Sequence, residues 1–231
     1  MSQGPPPAAG PVLAEVRFTT ADGLSLEGEL RRPDGPPRGT AVLCHPHPRH
    51  GGSKDHPLLW AIRNDLAARR GLAVLGFNFR GTMGSEGSFG GGEAEVLDVA
   101  AAVDRVRDEA AGPTALVGWS FGASVALRHA TGDHRLGAVA MIAPPLGGSG
   151  VAVPPPPPPW ELQGLDVPVL LLAGSEDRFC RGAAIRSLGE RLPRAEVRIL
   201  AGADHFFGRR EREVAEAVGG FLDEALRQSR P

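Results

Sequence analysis

A serine stands between two glycines at Gly118-Trp119-Ser120-Phe121-Gly122. The apolar run Thr114 to Val117 precedes it and a helix-like stretch, Ala123 to His129, follows. Strand, sharp turn and helix would hold the Ser120 hydroxyl at the apex, above the edge of a sheet. A side chain at either flanking glycine would collide as strand and helix close around the turn. Glycine is common here, 32 of 231 residues, so the pentapeptide alone does not identify a site; its setting and the residues downstream give it weight. A serine hydroxyl is a poor nucleophile unless a base sits beside it, and the base needs an orienting carboxylate. Two downstream segments offer these groups. Val169 to Gly174 leads into Ser175-Glu176-Asp177-Arg178, and Val197 to Leu200 leads into Ala201-Gly202-Ala203-Asp204-His205-Phe206-Phe207. The chain order Ser120, Asp177, His205 is the one expected of a serine on a strand-to-helix elbow. His205 is the expected base and Asp177 its carboxylate, with Glu176 and, more weakly, Asp204 as rivals for the acid role.

A tetrahedral intermediate also needs donors for its oxyanion. One is expected from the backbone amide of Phe121, the residue after the nucleophile. The second should come from His45-Pro46-His47-Pro48-Arg49-His50-Gly51-Gly52, which follows the apolar run Thr40 to Cys44. Pro46 and Pro48 have no amide hydrogen. That leaves His45 and His47, and His47, further past the strand end, is the expected donor. His45, His47, His50 and His56 invite a zinc reading, but their spacing is not a common ligand pattern and no cysteine or carboxylate partner is evident. The Gly81-Thr82-Met83-Gly84-Ser85-Glu86-Gly87 run is neither a dinucleotide fingerprint nor a phosphate loop; it reads as a tight turn beside the site. No cofactor and no metal are expected.

Alternating strands and helices must position these groups. Val12 to Thr19 and Leu24 to Leu30 read as an antiparallel hairpin around Ala21-Asp22-Gly23. Thereafter strands are expected at Thr40 to Cys44, Leu72 to Phe77, Thr114 to Val117, Leu136 to Ile142, Val167 to Leu172 and Ala195 to Leu200. Helices are expected at Pro57 to Arg70, Glu93 to Glu109, Ala123 to His129, Ala183 to Leu192 and Glu211 to Leu226. This alternation implies a mostly parallel sheet covered on both faces, with ligands at the carboxyl ends of its strands. Six prolines, Pro154 to Pro159, read as an extended spacer inside one α/β repeat; a motif for a proline-recognising partner is the lesser reading. Residues 1–11 read as a flexible tail and residues 12–231 as one domain.

Composition bounds the rest. With 42% hydrophobic and 23% charged residues the chain is of ordinary globular make-up. A formal net charge of -2 gives no reason to expect nucleic acid as a partner, and no apolar run approaches the roughly 20 residues that span a bilayer. Cys44 and Cys180 make no disulfide framework and read as buried thiols in a reducing cytosol.

Taken together, the motifs resemble the α/β-hydrolase superfamily from about Val12 to Leu226. The resemblance rests on His45-Pro46-His47-Pro48 with Gly51-Gly52, on Phe77-Asn78-Phe79-Arg80-Gly81 with Gly84-Ser85-Glu86-Gly87, on the Ser120 pentapeptide, on Gly174-Ser175-Glu176-Asp177 and on Gly202-Ala203-Asp204-His205-Phe206. Within the superfamily the chain looks like a small bacterial subgroup near the dienelactone-hydrolase and short-chain esterase relatives. The resemblance implies a serine hydrolase acting on a small-molecule carboxylic ester or thioester. An acyltransferase on the same three residues and a non-catalytic scaffold on the same fold are the other readings. Asn78 and Arg80 are expected to be structural. Larger relatives insert a helical lid after the strand ending at Ile142; Leu146 to Asp166 is too short and too rich in Pro and Gly for one, which implies an open site. Trp119, Phe121, Met83, Trp160, Phe206 and Arg178 are candidate pocket linings, and Arg178 could instead pair with Glu176.

Overall fold

The computed structural model describes residues 13–146 and 153–228. The expected tail, residues 1–11, lies outside them. An antiparallel hairpin opens the fold: β1 (Leu13–Thr19) pairs with β2 (Ser25–Arg31). Gly23 turns it at φ +88°, where a residue with a side chain would be strained. The remaining strands are β3 (Thr40–Cys44), β4 (Ala73–Phe77), β5 (Thr114–Trp119), β6 (Leu136–Ile142), β7 (Val169–Gly174) and β8 (Ala195–Leu200). They form one eight-stranded sheet in the order β1-β2-β4-β3-β5-β6-β7-β8. β2 meets β4 antiparallel, and every pairing from β4 to β8 is parallel. β5 and its neighbours β3 and β6 are buried along their whole length, as an apolar run between two helical layers requires.

The helices are α1 (Pro57–Asn64), α2 (Glu95–Arg107), α3 (Phe121–Ala130), α4 (Pro159–Gln163), α5 (Gly182–Gly189) and α6 (Glu211–Gln228). The expected helix Pro57 to Arg70 divides in two: α1 is regular, and Asp65–Arg69 widens into a π-helical turn. α4 was not expected; five residues after a proline run carry no periodicity. Its first residue is Pro159, whose missing amide hydrogen costs nothing at a helix start. Pro158 is extended, and Pro154 to Pro157 carry no regular secondary structure. Arg128 Nη1 donates to Pro155 O at 3.1 Å, and Pro154 packs against Gly92.

Among the described residues the β6–β7 connection contains no helix besides α4, so no lid covers the strand ends. No described helix is long and apolar enough to cross a membrane. Asn78 and Arg80 are structural, as expected. Asn78 Oδ1 accepts from Lys54 N at 2.8 Å, and its amide donates to Glu27. Arg80 bridges Asp98 on α2 and Asp22 in the hairpin turn. Cys44 and Cys180 are both buried and unbridged, and burial pushes both thiols well above the ordinary range.

Candidate active site

Ser120 joins β5 to α3 with φ +54° and ψ −120°, a conformation a residue with a side chain adopts only when its surroundings enforce it. They do so from both sides. Ser120 N donates to Ile142 O at 2.8 Å, and Ser120 O accepts from Ala123 N and Ser124 N at 2.9 and 3.2 Å. A methyl group at Gly118 would lie 2.4 Å from Gly122 O; one at Gly122 would lie 2.3 Å from Cys44 O and 2.5 Å from His45 O. Both glycines are therefore required by close approach, as the sequence suggested. Phe121 is the first residue of α3, and its amide is among those a helix leaves without an internal acceptor.

The segments after β7 and β8 are stitched to one another. Glu176 N donates to Ala203 O at 2.9 Å, and Gly202 N to Ser175 Oγ at 2.8 Å. Gly174 makes this possible, because a Cβ there would sit 2.1 Å from Ala203 O. The closure brings Asp177 to His205: His205 Nδ1 lies 2.8 Å from Asp177 Oδ2. The other carboxylate oxygen, Oδ1, accepts from Phe179 N at 2.7 Å and Cys180 N at 2.8 Å. His205 Nε2 lies 2.9 Å from Ser120 Oγ. All three side chains are buried or nearly so, and they form one unbroken hydrogen-bonded chain. The rivals stand aside. Asp204 Oδ1 accepts from the amides of Phe206 and Phe207 and so shapes its own turn. Glu176 is exposed, and no ion pair joins it to Arg178 among the described residues.

Over the serine lies an open cavity of about 430 Å³, whose walls include His47, His56, Trp119, Phe179, His205 and Phe206. Of the residues put forward as linings, Trp119 and Phe206 hold that place and the others do not. Met83 and Trp160 are 77% and 72% exposed elsewhere on the surface. Phe121 is buried behind His47, with ring centroids 5.1 Å apart. Arg178 is exposed and does not line the cavity. An aromatic or basic residue near a turn carries no record of which way the turn presents it. Phe179 and His56 were missed as linings. The Phe179 ring packs 4.8 Å from the His205 ring. His56 had a readable signal, since a polar residue just before a proline at a helix start is a cap position.

The histidines have separate tasks. His45 is fully buried, with Nδ1 2.6 Å from Pro46 O and Nε2 accepting from Phe79 N at 3.0 Å. Burial pulls its pKa down to about 4, so the ring is neutral and holds the loop after β3 against the loop after β4. His47 is buried between His50, Phe89 and Phe121, and its Nδ1 accepts from Arg49 N at 3.2 Å, capping a short 3₁₀ turn, Pro48–His50. Among the described residues no three histidine, cysteine or acidic side chains are grouped as metal ligands would be.

The fold has counterparts among known proteins. The family described as an alpha/beta hydrolase domain matches residues 39–229. A serine hydrolase without a lid from Xanthomonas campestris is 27% identical, superposes with a TM-score of 0.77, and the match covers 95% of this chain and 97% of that one. An alpha-beta serine hydrolase homologue from Coxiella burnetii is also 27% identical, with a TM-score of 0.77 over 90% of this chain and 97% of that one. An uncharacterized protein of Rickettsia prowazekii is 27% identical over 220 residues, 91% of this chain and 89% of that protein. An eight-stranded, largely parallel sheet with a strained serine on its central elbow, and a match over residues 39–229, make this chain a member of the α/β-hydrolase family.

Proposed function

We propose that the protein is a serine hydrolase that cleaves a carboxylic ester or thioester through an acyl-enzyme. The observation that carries this reading is the hydrogen-bonded chain Ser120 Oγ–His205–Asp177 at 2.9 and 2.8 Å on the floor of an open cavity. His205 takes the Ser120 proton as the oxygen attacks the acyl carbon, then returns it to the leaving alcohol or thiol. Water repeats the cycle on the acyl-enzyme. Asp177 holds the ring with Nδ1–H inward and stabilises the imidazolium formed in each step. Two backbone amides, hydrogen-bonded to its other oxygen, keep the carboxylate itself from turning.

The amides of Phe121 and His47 are assigned to the oxyanion. Phe121 follows the nucleophile at a helix start, where both the N–H and the helix dipole favour a developing negative charge. His47 lies on the facing loop, anchored by its own carbonyl, which accepts from His50 N and Gly52 N at 3.0 and 3.1 Å.

The test is labelling with a fluorophosphonate, read as intact mass. A single adduct on the wild type that is absent from Ser120→Ala is the expected result. Turnover of p-nitrophenyl butyrate should fall by about 10⁴–10⁶ in that variant. No adduct on folded wild type would leave a non-catalytic role for the fold; a loss in turnover below tenfold would overturn Ser120 as the nucleophile.

A further inference from the structure

His56 lies outside the hydrogen-bonded chain yet lines the same cavity. It caps α1: its Nδ1 accepts from Leu58 N at 3.2 Å, with Pro57 as the first helical residue. A nitrogen that accepts from a backbone amide carries no hydrogen, so the proton of the neutral ring sits on Nε2. The ring plane is fixed as well. It packs against the Trp119 indole, centroids 4.4 Å apart and nearly edge-on. Trp119 is in turn anchored, Nε1 donating to His205 O at 3.3 Å, and precedes Ser120 in the chain. No described residue accepts from His56 Nε2. Burial holds the imidazole below its ordinary pKa, and Glu211, the charge at the start of α6, opposes that shift without reversing it. The side chain is thus a neutral, oriented donor with one N–H unclaimed, on the wall of a cavity that no Asp, Glu, Lys or Arg lines among the described residues.

We propose that His56 is a substrate-binding residue whose Nε2–H receives an acceptor oxygen of the substrate other than the scissile carboxyl. The substrate class is then an uncharged ester or thioester bearing an ether, keto or hydroxyl oxygen. An all-hydrocarbon acyl chain of the same size leaves that donor without a partner once water is displaced, which weakens binding. The inference rests on the hydrolase reading for its substrate and on the geometry of α1 for its donor.

Two measurements test it. The first needs no turnover. Nitrogen-15 spectra of the histidine rings at pH 7 should show His56 as the neutral Nε2–H form. In Ser120→Ala, its Nε2 resonance should shift on addition of ethyl methoxyacetate and less on addition of ethyl butyrate. An Nδ1–H ring, a cationic ring, or equal responses to the two esters overturns the proposal. The second uses matched p-nitrophenyl esters in which one methylene of the acyl chain is replaced by oxygen, position by position; butyrate against methoxyacetate is the shortest pair. His56→Asn keeps a good capping acceptor for Leu58 N and withdraws the donor from the cavity; His56→Ser is the alternative if that variant folds poorly. At one position of the series the oxygen-to-methylene ratio of kcat/KM should fall about three- to tenfold relative to wild type, chiefly through KM. An unchanged ratio at every position overturns the assignment. A wild type that neither labels nor turns over sinks the hydrolase reading instead, and the ring spectra still decide the role of His56.

Discussion

Replacing Asp177 by asparagine isolates the part of the site that tautomer control supplies. The side chain keeps its size, so the question is which way the new amide lies. Asp177 Oδ1 accepts from two backbone amides, Phe179 N and Cys180 N, at 2.7 and 2.8 Å, whereas Oδ2 faces one donor, His205 Nδ1. If the asparagine turned its NH₂ toward the backbone, two buried amides would lose their acceptor at about 1–3 kcal/mol each. Turning it toward His205 sacrifices one bond, and even that one is recovered if the imidazole shifts its proton from Nδ1 to Nε2. The carbonyl therefore stays on the backbone amides, favoured by roughly 2 kcal/mol or more, a factor of about 30 at least. The NH₂ then faces Nδ1, which must become an acceptor, and Nε2 now carries a hydrogen toward Ser120 Oγ. A ring in that state cannot take the serine proton, so kcat for p-nitrophenyl butyrate should fall by about 10⁴. Stability should change far less, because the two backbone bonds survive. The assay is steady-state turnover beside a urea melt and the rate of fluorophosphonate labelling. Turnover within tenfold of wild type, with the fold intact, would mean that Asp177 does not orient His205 and that the carboxylate role lies elsewhere.

Gly122→Ala should force the start of α3 about 1 Å away from the end of β3, since its methyl would lie 2.3 and 2.5 Å from two carbonyl oxygens against an ordinary C···O contact of about 3.3 Å; a stability loss of about 1–3 kcal/mol by urea melt and a roughly 10²-fold loss in kcat/KM are expected. Gly220→Ala, where a methyl in α6 meets open space, is the control and should gain about 0.5–1 kcal/mol. Acidification should destabilise the fold through its buried histidines. His45 binds its proton near pH 4 in the folded state against 6.5 in the unfolded one, so its contribution is complete above pH 6.5 and is lost as pH falls to 4, roughly 3 kcal/mol in all. His129 and His56 are shifted in the same direction, whereas Asp133, held near 2 by Arg135 and His129 despite its burial, acts only below about 3.8. Urea midpoints that stay flat from pH 7 to 4.5 would contradict this. Finally, p-nitrophenyl hemisuccinate should be at least tenfold poorer in kcat/KM than the butyrate, because among the described residues no lysine or arginine lines the cavity to meet the extra carboxylate; equal rates would place a cation within its reach.

The three side chains that the structure links, Ser120, His205 and Asp177, were legible because the proposed chemistry restricts residue type and the architecture restricts order. Ser120 between glycines, a carboxylate after β7 and a histidine after β8 leave few choices, and the strands beneath them announce themselves as short apolar runs. Even the choice of Asp177 over Glu176 followed from distance past the strand end. The pocket was less legible. Met83 and Trp160 were candidates by type alone, and both are exposed away from the cavity, one in a turn and one on α4. His56 passed for one of four loose imidazoles although its place before Pro57 marked a cap, and only the structure sets it on the cavity wall against Trp119. The widening of the helix at Asp65–Arg69 and the single turn of α4 escaped for another reason: each spans five residues, too few for a period to show.

The three linked side chains sit 85 and 28 residues apart along the chain, on turns that become neighbours only when β5, β7 and β8 have joined one sheet. During synthesis the serine emerges long before its base. A chain that has made the elbow but not the last strand holds an ordinary alcohol, inert toward any ester it meets. On the mechanism proposed above, the acyl transfer therefore waits for the final α/β unit: a fragment ending before His205 holds Ser120 without the base assigned to it.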